Sequence, residues 1–129
     1  MADVYMRISH GDDTTAIMGD VLEEIKQSDR DTFDKLEVDW DPPESPGIAG
    51  EPISAGIMLA GSAMIIAAVL RVIERRMEHI QQREILREVI KGIEKNPDAT
   101  AELNDLAKKF SDVSISFGLV KGVWPRPPS

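Results

Sequence analysis

The residues best suited to proton transfer or metal binding near neutral pH are His10 and His79, the only two histidines in the chain. His10 precedes a turn and His79 stands beside Glu78 on a polar helix face, so neither shows the spacing that a metal site requires. Asp39, Asp41 and Glu44 gather around Trp40 and could hold a cation, but the glycine and terminal glutamate of a calcium loop are missing. A solvated acidic edge is the simpler reading. Asp12, Asp13, Thr14 and Thr15 form a turn rich in oxygen nucleophiles, yet aspartate and threonine before a helical stripe are ordinary caps. Gly56 and Gly61 lie in an apolar run with no Lys-Ser or Lys-Thr behind them, which removes a phosphate loop. The chain has no cysteine, which excludes disulfides, thiolate metal sites and a cysteine nucleophile. No nucleophile and base stand together, so the expectation is a non-enzyme with no catalytic, cofactor-binding or metal-ligating residues.

What could position such groups is a set of short elements along 129 residues, a one-domain length. Val4, Met6 and Ile8 alternate with Tyr5 and Arg7, which predicts a strand. Ile17, Val21, Leu22 and Ile25 recur at helical spacing and predict a helix over residues 14–28. Leu36, Val38 and Trp40 alternate again, so residues 1–41 read as an acidic strand-helix-strand unit, with parallel pairing of its strands as the guess. Three prolines within residues 42–46 make residues 42–52 a linker. Residues 53–120 read as a helical region ending in a strand. Its helix is expected to run to about Lys95 with a break near Gln81-Gln82-Arg83-Glu84, and Asn96-Pro97-Asp98 to stop it. A further helix carries Leu103, Leu106, Ala107 and Phe110, and Val113, Ile115, Phe117 and Leu119 share one side of a third strand. Residues 121–129 form a proline-rich tail. The fold class is therefore α+β: a small sheet of about three short strands and a dominant helical part that includes one long apolar helix.

That helix is the feature that most constrains function. Residues 53–70 contain no charge, and as a helix they would span roughly 27 Å at about 1.5 Å per residue, near the thickness of a thin bilayer core. Small residues recur at four-residue spacing, Gly56 with Ala60 and Ala63 with Ala67, which lets a second helix approach closely. Two solvents fit. Burial by protein, within the domain or in an oligomer, makes Ile53, Ile57, Ala60, Met64, Ala67, Arg71, Arg75 and Arg76 the candidate interface. The alternative is a single-pass or conditionally membrane-inserting protein, with Arg71, Arg75 and Arg76 marking the cytoplasmic side.

Charge is divided unevenly. Residues 1–52 hold 14 acids against four bases, a balance of −10, whereas residues 53–129 hold 11 bases against nine acids. A net charge of −8 argues against a nucleic-acid partner, and the asymmetry predicts docking of the acidic unit on the basic stretch around Arg75 and Arg76. No signal peptide is expected, because Asp3, Asp12 and Asp13 interrupt the N-terminal region, so the expected location is cytoplasmic or membrane-associated.

The order of elements resembles a known group. It runs strand, acidic helix, strand, linker (Pro42-Pro43-Glu44-Ser45-Pro46-Gly47), apolar Ala/Gly-rich helix ending in arginine (Leu70-Arg71, then Glu74-Arg75-Arg76), and terminal strand (Asp112-Val113-Ser114-Ile115-Ser116). This is similar to small effector-associated components of bacterial conflict systems, and the charged helical stretch over residues 71–110 departs from their shorter pattern. The resemblance implies an adaptor that couples to a separate effector. Together with the apolar helix it gives the expected function: a non-enzymatic interaction or assembly protein whose partner is another protein, a further copy of itself, or both.

Overall fold

The computed structural model describes residues 3–9, 14–41, 56–110 and 113–119. The linker, the turn over residues 10–13, the proline-rich tail, Ile53 and the side chain of Asp41 lie outside the described residues. The N-terminal elements follow the periodicity of their residues: β1 (Val4–Ser9), α1 (Thr14–Ser28) and β2 (Glu37–Asp41). Between α1 and β2 the chain adds a six-residue helix, α2 (Arg30–Lys35), which the sequence reading did not anticipate. Asp29 starts it: the Thr32 backbone N–H donates to its Oδ1 at 3.2 Å and the Thr32 hydroxyl to its Oδ2 at 2.7 Å.

The expectation of a long apolar helix is overturned. Residues 56–61 form a strand, β3 (Gly56–Gly61), and the helix that follows, α3 (Ala63–Arg76), starts only after Ser62, whose hydroxyl oxygen accepts from the Ile65 N–H at 3.4 Å. The physical reason is that β3 lies in the sheet interior, where a strand reads as an unbroken apolar run and loses the alternation that would distinguish it from a buried helix. The sheet thus has four strands, not three, in the order β2-β3-β1-β4, where β4 is Ser114–Leu119. Among the described residues no helix is long and apolar enough to cross a membrane.

All three pairings are antiparallel. β1 and β2 both run against β3, so they are parallel to each other, but they do not pair: β3 occupies the place between them. In topology this is the split β-α-β arrangement of ferredoxin-like sheets, with a run of helices in place of the second crossover helix. The register lines up Val38, Leu59, Met6 and Phe117 in one row and Trp40, Ile57, Ile8 and Ile115 in the next, all directed at the helices. On the opposite face Tyr5 lies across Gly118, where a Cβ would stand 2.3 Å from the ring, a space only glycine leaves.

The helical layer closes over the first of those faces. α3 packs against α1, β1 and β3 and against α4 (Ile80–Lys95), so Ile66, Ala67, Val69 and Leu70 are fully excluded from water, and of its large apolar side chains Met64 alone stands out, at 80% exposure. The helix break falls at Met77-Glu78-His79, before the expected Gln81-Gln82-Arg83-Glu84, because Met77 turns extended and its N–H donates back to the Glu74 carbonyl at 3.1 Å. His79 is consequently the residue that precedes α4 and is not on a helix face. Asn96-Pro97 ends α4 as expected, and α5 (Thr100–Ala107) lies against both α4 and β4. Gly92 admits Leu103 so closely that a Cβ there would sit 2.8 Å from Leu103 Cδ2.

The outer edge of β4 is held by a side chain. The Phe117 N–H donates to Asn104 Oδ1 at 2.7 Å, and Asn104 Nδ2 donates to the Phe117 carbonyl at 3.1 Å. One amide on α5 thereby replaces the two hydrogen bonds that another strand would make there.

Candidate functional site

The helices do not close the layer everywhere. Between α1 and the α3–α4 junction opens a groove of about 380 Å³. Its floor is Ile8 and Ile115 at the sheet end, its walls Met18, Val21, Ile73 and Met77, and Ile17 and Val113 line it towards solvent. Each wall arises from a helical repeat: Ile17, Met18 and Val21 from α1, Ile73 and Met77 from the last turn of α3 and its exit. Arg76, Glu78, His79 and Gln82 supply the polar lining. The size and the mix of apolar walls with a few polar groups are those of small-ligand or side-chain sites.

Arg76 is held in place from the other wall. Its Nη2 donates to Glu24 Oε1 on α1 at 2.9 Å, and Arg75 Nη2 donates to Oε2 of the same carboxylate at 3.0 Å. Glu24 belongs to the acidic unit and the arginines to the basic stretch, so the predicted docking of one on the other occurs within the chain through these two pairs. Arg71 pairs with Glu94 at 2.6 Å and Arg87 with Glu74, which tie α3 to α4. The arginines and Glu94 are well exposed to solvent, Glu24 is less so and Glu74 is mostly buried, and pairs that solvent reaches in this way contribute little each. A second, shallower cavity of about 430 Å³ between the α1–α2 turn and α3 is lined by Asp29, Thr32, Arg71, Glu74 and Arg75.

The candidate interface of the sequence reading is dispersed. Ile57 and Ala60 are buried in β3 and Ala67 is buried in α3, so none of them offers surface. Met64 is exposed at the start of α3, far along the helix from the arginines, and Arg71 is engaged with Glu94. Only Arg76 belongs to the groove, with Arg75 beside it through Glu24. The groove residues themselves went unrecognised, because they come from β1, α1, α3, the α3–α4 turn and β4. The one available signal was Ile17, an apolar residue on the stripe of α1 that remains 37% exposed.

For acid–base or metal chemistry the site has little. Among the described residues no three acidic or histidine side chains gather as a metal site requires. One carboxylate is displaced from its ordinary titration: Asp29 is held below the usual range, first by the Thr32 hydroxyl, then by the Thr32 backbone N–H and the nearby charge of Lys35. It lies at the α2 start, outside the groove. Comparison with family models, with curated proteins and with solved structures finds no match for this chain.

Proposed function

We propose that this chain is a non-enzymatic interaction protein that receives an apolar segment of a protein partner in the groove between α1 and the α3–α4 junction. The observation that carries the reading is the groove itself: eight apolar residues line a cavity of about 380 Å³. An adaptor role agrees with the resemblance to effector-associated components, and a further copy of this chain remains a partner of the same kind. The helix first expected to drive assembly does not support the reading, since α1, α4 and the sheet cover it. Membrane insertion loses its basis with the division of residues 53–70 into strand and helix.

The test is recovery of partners from the native cell with wild-type bait and with an Ile17→Glu bait, together with sedimentation of the purified protein. Ile17 is exposed enough for the charge to be tolerated, so the melting temperature should stay within a few degrees. A partner or a self-associated species present with wild type and lost with Ile17→Glu is the expected outcome. Equal recovery by both baits would sink the groove as the contact.

A further inference from the structure

We infer that the groove is selective for a segment that presents a carboxylate next to its apolar side chains, and that Arg76 is the residue that reads it; this rests on the groove as the contact site. The argument begins with charge. Glu24 is one carboxylate shared by two guanidiniums, so it leaves the Arg75–Arg76 pair with one positive charge in excess in a chain that is −8 overall. Of the three, Arg76 alone lines the groove, and its side chain is 42% exposed. Glu24 fixes it through Nη2, and a planar fork of five N–H donors can serve a second carboxylate while keeping the first. Holding that fork in place beforehand reduces the ordering cost that a free surface arginine would incur on binding.

The apolar lining strengthens the preference. Ile73 and Met77 stand beside Arg76 on the same wall, so a bound segment would shut water away from the guanidinium and make an unpaired charge there costly. A carboxylate brought in with the segment resolves that cost, whereas an amide does so in part and an ammonium adds to it. Glu78 is the opposing carboxylate of the lining, and it is exposed on the turn between α3 and α4, where solvent screens it. The occupant is therefore a partner segment of the form apolar-apolar-acidic.

The probes are three capped peptides, acetyl-Leu-Leu-Asp-amide and its Asn and Lys counterparts, followed by NMR of isoleucine δ1 methyl groups. Ile8, Ile17, Ile73 and Ile115 line the groove and should shift on binding, while Ile66 and Ile93 are buried outside its lining and serve as internal references. We expect the Asp peptide to bind about fivefold more tightly than the Asn peptide, and the Lys peptide most weakly, as befits one partly exposed charge pair. Arg76→Gln should abolish the Asp-over-Asn difference, Arg76→Lys should retain part of it, and Glu78→Gln should leave it in place. Equal shifts with all three peptides, or a preference for Lys, would overturn the carboxylate selectivity and leave the groove reading standing. No groove shift with any peptide would remove both.

Discussion

Two places where a helix meets the rim of the sheet have opposite outcomes. Where α5 meets β4, the amide of Asn104 satisfies the outward N–H and carbonyl of Phe117, and Gly92 lets Leu103 come close enough to seal the corner. Where α1 meets the α3–α4 junction, the helices share the core, Glu24 reaches two arginines at the surface, and a groove stays open between them. The first contact is short-range. The second is partly long-armed, and long charged side chains can tie helices together across a gap that their apolar faces leave unfilled. A closed corner guards an edge, and a tied but unfilled one leaves room for something else.

The largest effect should come from α3, which packs against α1, α4 and the sheet. Ala67→Asp would put an unpaired carboxylate at a fully buried position of α3, and we expect a loss of about 3 kcal/mol or more, read as a fall in melting temperature or failure to fold. A near-wild-type melt would mean that the α3 packing is misplaced and the comparison with it. Next, Asn104→Leu leaves the Phe117 N–H and carbonyl without their partner, an expected cost of about 2 kcal/mol in a denaturant titration. The same variant should self-associate more at high concentration in light scattering, because an unguarded edge pairs with other edges.

The tie across the groove should be worth much less. Arg75→Glu with Arg76→Glu should cost under about 1 kcal/mol, since the wild-type pairs are exposed, and should raise hydrogen exchange in α1 and the end of α3. Raising the salt concentration should narrow the difference from wild type, and a salt-independent difference would show that the arms act by packing and not by charge. The smallest effect concerns Asp29. Because its native titration is displaced downward by the Thr32 donors, the capping contribution is present above the ordinary aspartate range and fades as pH falls through the lowered native value. Thr32→Val should move the Asp29 midpoint back up in a carboxyl NMR titration, without touching the groove methyls.

Much of this fold is written in residue alternation. β1, α1, β2, α5 and β4 each carry a periodic stripe over at least two repeats, and Asn96-Pro97 marks the end of α4 plainly. β3 escapes because both its faces are apolar or small: Ile57 and Leu59 meet the helices, while Gly56, Met58 and Ala60 lie on the other side. α2 escapes because six residues hold too few repeats for a stripe, and its determinant is the single capping carboxylate of Asp29. The groove was legible in one respect only. Charge asymmetry pointed to Arg75 and Arg76 meeting the acidic unit, but which glutamate they meet, and that a cavity opens beside them, depends on elements that lie far apart in the sequence, 51 and 52 residues for the two pairs.

The pairing of β1 with β4 carries a consequence for the order in which the molecule can be completed. Val4 sits opposite Leu119, so the seam between β1 and the edge strand β4 joins stretches about a hundred residues apart. On a ribosome adding roughly 5–20 residues per second, β1 waits several seconds for that neighbour with one flank unpaired. β3 reaches it first and can cover the other flank, and α5 emerges just before β4. Asn104 is therefore in place when Phe117 arrives, so the last strand docks between a waiting neighbour on one side and a ready amide on the other.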